Sequence, residues 1–141
     1  MQPVSFEEVL EQILSRDTRF HRDAFLFVKD ALDFTQKIVG KETKGGGIRH
    51  VSGQELLEGI REHALQQFGP MVTTVFEEWG IRSCRDFGEI VFLMVEHNLL
   101  AKTDKDSRAD FESGYDFQEV FRKPFIPKAH PAPKAKVPTK V

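Results

Sequence analysis

SCRDFGEIVFLMVEHNLL, residues 83–100, decides the fold. Its centre, Ile90 to Val95, is six apolar residues in a row between Glu89 and Glu96. A helix at the surface shows one apolar stripe, whereas one apolar all round sits inside other elements. Periodicity alone does not separate such a run from a buried strand, so the flanks arbitrate. Ser83 is an N-cap residue with Asp86 in the third helical position, and Asn98 tolerates a left-handed end. The stretch therefore predicts a helix from Ser83 to Leu100, wholly enclosed over 90–95, with the other segments wrapped about it.

Working outward, Ser5-Phe-Glu-Glu8 is a capping box, followed by Phe6, Val9, Leu10, Ile13 and Leu14 at helical spacing. This predicts a first helix over Ser5 to Arg16. A second, from Arg22 to Val39, carries Phe25, Val28, Leu32 and Thr35 on one side. Phe27, Ala31, Phe34 and Ile38 lie beside that stripe and make its buried face wide; in the alternative, Phe27 and Phe34 are candidate exposed aromatics. Gly40 is expected to end it, and KETKGGGIR, residues 41–49, reads as a hinge or surface loop. It is no phosphate loop, because the GxxxxGK[ST] order is missing and no helix opens right after the glycines.

Ser52 and Glu55 form the clearest capping box in the chain, with Val51 placed to staple onto Leu56. Leu57, Ile60, Ala64 and Phe68 continue the buried face. Gly59 in mid-helix is disfavoured by about 1 kcal/mol against alanine, which points to a close helix crossing. Gly69-Pro70 stops that helix and starts a fourth, Pro70 to Trp79. Gly80-Ile81 has the Gly-then-apolar form of a Schellman end. After Leu100 the alternation around Asp104-Lys-Asp-Ser107 reads as a short β-hairpin, with a plain loop as the alternative. Asp116-Phe-Gln-Glu119 is a last capping box, for one helical turn.

The expected fold is mainly α: a compact five-helix domain with a short hairpin over residues 4–121, then a basic Pro/Lys-rich disordered tail over 122–141. The whole chain has a net charge of −2. Residues 122–141 hold six Lys or Arg, no acid and five of the seven prolines. This leaves 14 basic against 22 acidic residues in 1–121, a balance of −8. No apolar run approaches the ~20 residues of a membrane helix. The start, MQPVSFEEVL, has no basic region or apolar core, so no secretory signal is expected. One cysteine, Cys84, excludes an internal disulfide and a Cys-cluster zinc site, and a reducing cytosol fits best.

Little carries chemistry. The five histidines, His21, His50, His63, His97 and His130, lack ligand spacing. His63 and His97 end on different helices, and two ligands alone make a poor metal site. Cys84 at a helix start is the best nucleophile present, but no base accompanies it. Asp104, Asp106 and Asp110 resemble the start of a calcium loop, yet Ala109 replaces the required glycine and Tyr115 the bidentate glutamate. No catalytic residue, cofactor or metal is expected, although an enzyme with a small ligand between the third and fifth helices is kept as a third reading.

The order helix, helix, tight turn, helix, hairpin is that of a winged helix. VEHNLLAKTDKDSRADF, residues 95–111, resembles the recognition-helix end and wing of regulators of the MarR type. That resemblance implies that Arg82, Arg85, Lys102, Lys105 and Arg108 line one surface and meet phosphates; Lys123, Lys128, Lys134 and Lys136 of the basic tail are further candidate contacts. Asp86, Asp104, Asp106 and Asp110 stand among these cations, within about a Debye length, and cut their potential. Over residues 23–121 the segments FVKDALDFTQ, RHVSGQELLEGIREHALQQFGPMVTTVFEEWGI, DFGEIVFLMVEHNLLAKTDKDSRADF and YDFQEVF resemble an uncharacterised family of small proteins from the Planctomycetes–Verrucomicrobia bacterial group. The resemblance implies no activity or cofactor. The leading expectation is a cytosolic, non-enzymatic protein-interaction or regulatory module with an unknown protein partner. Nucleic-acid binding through the hairpin face and basic tail is the alternative.

Overall fold

A computed structural model describes residues 6–42, 51–100, 109–112 and 114–126. Six α-helices lie among them: α1 (Phe6–Arg16), α2 (Arg22–Glu42), α3 (Gly53–Phe68), α4 (Val72–Trp79), α5 (Cys84–Glu96) and α6 (Ala109–Glu112). A 3-10 turn at Gly69–Met71 joins α3 to α4, and a π-helical turn (Gln118–Arg122) runs into a 3-10 turn (Lys123–Phe125). Among the described residues no helix is long and apolar enough to cross a membrane.

The local signals account for most boundaries. Glu55 N–H donates to Ser52 Oγ at 3.1 Å and Ser52 N–H to Glu55 Oε1 at 3.0 Å, a reciprocal box that starts α3. Gly80, at φ 86°, ends α4: its N–H donates to Glu77 O at 3.1 Å and that of Ile81 to Phe76 O at 2.8 Å, the two bonds of a Schellman motif. Asn98 repeats the device at φ 63°, with Leu99 N–H donating to Met94 O at 2.8 Å. The left-handed Asn98 stops α5 at Glu96, short of Leu100. By contrast α2 runs through Gly40 to Glu42, three residues beyond the expected end.

α2 and α3 pack on one another most extensively. A Cβ on Gly59 would lie 1.7 Å from Thr35 Oγ1, so the two helices meet where glycine leaves room. The core around them is aromatic. The Phe76 ring is in contact with those of Phe27, Trp79, Phe87, Phe117 and Phe121 at centroid separations of 5.4–6.0 Å. Each such pair contributes about 0.5–1.5 kcal/mol beyond its buried area.

Two expectations are corrected. Residues 90–95 are helical, but only Ile90, Phe92 and Met94 are buried; Val91, Leu93 and Val95 are half-buried. The segment is thus a two-sided wall and not an enclosed spine. The hairpin fails as well. Ala109–Glu112 is a helical turn where a returning strand was expected, and no strand occurs among the described residues. One turn of helix seats the buried Phe111 over Gly88, where an added Cβ would come within 2.9 Å of Phe111 Cβ. Asp110 Cβ stands as close, 2.7 Å, to a Cβ built on Gly53. The bare backbones of two helices therefore receive α6, and the winged-helix order lacks its wing strand there. Residues 101–108, which hold the rest of the expected hairpin, lie outside the described residues, as do Ser5 and the glycines at 45–47.

The final capping box forms by half. Asp116 Oδ1 accepts from Glu119 N–H at 3.4 Å, and from Gln118 N–H at 2.7 Å, while the Glu119 side chain turns forward to pair with Lys123. Helical backbone continues past 121 to Phe125, and residues 127–141 lie outside the described residues.

Candidate functional site

The half-buried flank of α5 opens into an apolar groove of about 270 Å³. Leu32 of α2, Leu56 of α3, Val91 and Val95 of α5 and Phe111 of α6 form its walls. Leu99 and Leu100 also line it, following the left-handed Asn98. Ser52 and Gly53, at the capped start of α3, form part of the rim. The polar lining is Gln36, Ser52 and Asp110. The Ser52 hydroxyl is committed to the helix cap. What the walls supply is desolvation of an apolar group, worth about 25 cal/mol per Å² covered.

Phe27, a candidate exposed aromatic in one reading and part of a wide buried face in the other, is buried. Its ring stacks on His63 at 5.4 Å and packs on Phe68, Phe76 and Trp79. Phe34 is half-buried and lies on His63 at 5.1 Å. α2 buries two adjoining stripes, against α3 and α4, and this draws both phenylalanines inward. The two histidines are not brought together as ligands. His63 lies between these rings, while His97 Nδ1 donates to Leu93 O at 2.8 Å at the end of α5. Among the described residues no three His, Cys, Asp or Glu side chains are grouped to hold a metal ion.

The Cys84 thiol is buried and donates to Tyr115 O at 3.4 Å. Burial pushes its pKa up to about 11 despite that hydrogen bond, the opposite of an activated thiol. Tyr115 is raised for the same reason, and its hydroxyl donates to Leu57 O at 2.7 Å. The pair fastens the 114–122 segment to α3 and α5.

Of the expected cation face, Arg82, Arg85 and Lys123 are exposed. The Asp86 carboxylate sits at the root of the first two, accepting from the N–H groups of Arg82 at 2.7 Å and Ser83 at 3.2 Å. Lys123 pairs with Glu119 at 2.7 Å, which raises its pKa. Lys102, Lys105, Arg108, Lys128, Lys134 and Lys136 lie outside the described residues. The groove shares its α3 and α5 walls with the ligand position that the sequence offers between the third and fifth helices, whereas Val91 and Val95 read there as core. The available signal was the Leu99-Leu100 pair after a left-handed asparagine, which places two large apolar residues beyond the helix end. Comparison of the chain with family models, curated proteins and solved structures gives no match.

Proposed function

We propose that this protein is a cytosolic, non-enzymatic interaction module whose contact surface is the groove between α2, α3, α5 and α6. The observation that carries the proposal is the groove's lining: among the described residues, nine aliphatic or aromatic side chains stand against three polar ones and a glycine. Such a surface matches the way an apolar side of a peptide or helix is read by a groove. The buried thiol at Cys84, its pKa raised to about 11, fits a reducing compartment and gives no support to nucleophilic chemistry. Nucleic-acid binding through Arg82, Arg85 and Lys123 is less well supported, because Asp86 and Glu119 lie within the same surface.

The test is a pull-down from source-cell lysate with and without nuclease, using the wild-type chain and Val95→Lys. A nuclease-resistant partner that Val95→Lys releases supports the groove. Recovery only with RNA or DNA present, lost in Arg82→Ala/Arg85→Ala, rejects it in favour of nucleic acid.

A further inference from the structure

Four large apolar side chains stand open to solvent among the described residues, and three of them gather at one end of the molecule. Met71, 54% exposed, closes the 3-10 turn between α3 and α4. Phe125 and Ile126, 43% and 53% exposed, end the turns that begin at Gln118. The π-helical part of those turns packs on Gly69–Met71, and Phe125 and Ile126 border one shallow recess with Pro70. Apolar side chains scattered singly over a surface need no explanation, whereas a gathered set marks a contact surface.

Charge says what that surface meets. Arg122 borders the same recess and Lys123 beside it is exposed. Ile126 is extended, at φ −79° and ψ 128°, and Pro127 follows it, so the helical turns stop there. The chain that continues from this point adds Lys128, Lys134, Lys136 and Lys140 and no acid. Against these six cations stand Glu77 and Glu78 at the end of α4, and Asp116 and Glu119, of which Glu119 pairs with Lys123. Exposed charges further off than about ~10 Å are largely screened, so the acidity of the rest of the body counts for less here.

We propose that this end of the molecule rests on an anionic lipid surface. Met71, Phe125 and Ile126 enter the headgroup boundary, and the cations of 122–141 meet the lipid phosphates. A nucleic acid would satisfy the cations but leave three apolar side chains in water. An anionic bilayer takes both. Five of the six cations are lysine, a point charge without the fixed pairing geometry of arginine, which suits a fluid headgroup layer more than a built protein site. No described helix crosses a membrane, so the contact is peripheral, reversible and sensitive to salt. The recess shares no lining residue with the groove, and the inference stands apart from the interaction reading.

Co-sedimentation of the full chain with lipid vesicles tests this, using phosphatidylcholine alone and equal parts of phosphatidylcholine and phosphatidylglycerol. The expected result is binding to the mixed vesicles, none to phosphatidylcholine alone, and a steady loss as salt is raised. Phe125→Ser/Ile126→Ser weakens that binding roughly tenfold or more, and so does Lys128→Gln/Lys134→Gln/Lys136→Gln/Lys140→Gln. Circular dichroism checks that each variant is folded. Binding to neither vesicle, equal binding to both, or binding unchanged by either variant overturns the proposal. So does a preference for RNA or duplex DNA that persists in the serine variant, because the cations then serve a nucleic acid and the apolar side chains serve nothing.

Discussion

Replacing Gly59 by alanine tests the closest approach in the fold. In an isolated helix the change stabilises, by about 1 kcal/mol. Here the new Cβ would stand 1.7 Å from Thr35 Oγ1, 2.9 Å from Thr35 Cβ and 3.3 Å from Thr35 Cγ2. Thr35 is 3% exposed, and its hydroxyl donates to Ala31 O at 2.7 Å, so the side chain has no open volume to rotate into. Either that hydrogen bond breaks, at about 1 kcal/mol, or α2 and α3 separate. Overpacking of this kind costs about 1–3 kcal/mol or more. Less the gain of about 1 kcal/mol in propensity, Gly59→Ala is expected to destabilise by up to about 2 kcal/mol, a fall in Tm of up to roughly 7 °C for a chain of this size.

Urea and thermal unfolding of the single variants Gly59→Ala and Thr35→Ala and of the double variant gives the coupling directly. Thr35→Ala removes the 1.7 and 3.3 Å contacts and leaves the 2.9 Å one, so the double variant recovers part of the loss and not all of it. A coupling energy of roughly 1 kcal/mol or more in the restoring direction is expected. A Gly59→Ala protein more stable than wild type by the full propensity term, with no coupling to Thr35, would refute the close crossing.

Gly80→Ala is expected to lower Tm because an L-residue at φ 86° is strained by roughly 1–2 kcal/mol, and the added Cβ would meet Arg19 O at 2.3 Å; an unchanged melt contradicts this. The Cys84 thiol is expected to react with a disulfide reagent at neutral pH only as fast as the protein opens, and a rapid stoichiometric reaction of the native protein would show the thiol to be exposed. For stability against pH, the folded thiol holds its proton up to about 11 while the unfolded one releases it near 9.0, so the unfolded state binds fewer protons and stability falls as pH rises through that window; Cys84→Ala removes this part of the alkaline limb. Asp17 has the opposite sign. The Arg19 guanidinium, donating to it at 2.7 Å, holds its carboxyl below the ordinary 3.8, so its stabilisation is present above that value and is lost as pH falls through the lowered folded value. Asp17→Asn flattens that acid limb by less than about 1 kcal/mol, since Arg19 is half open to solvent, and an acid titration followed by circular dichroism measures it.

The sequence by itself determined that α1 to α5 are helices, and it determined those ends that carry their own caps. Ser52 with Glu55, Gly80 with Ile81, and Asn98 act through hydrogen bonds to groups within a few residues, so the chain needs no partner element to express them. Gly59 also announced a close crossing, because only a packing reason keeps glycine in mid-helix. What lay beyond the local chain was decided by tertiary structure. Six apolar residues at 90–95 do not reveal that Val91 and Val95 face a groove while Ile90 and Met94 face the core, since that depends on where α2, α3 and α6 come to rest. The same holds for Phe27, drawn inside by α3 and α4, and for residues 109–112. Their alternation suits a strand until Gly53 and Gly88 offer bare backbone for Phe111 to settle on, and burial of that one ring selects a turn of helix. Short-range hydrogen bonding is written in neighbouring letters; which face of an apolar segment stays wet is set by elements tens of residues away.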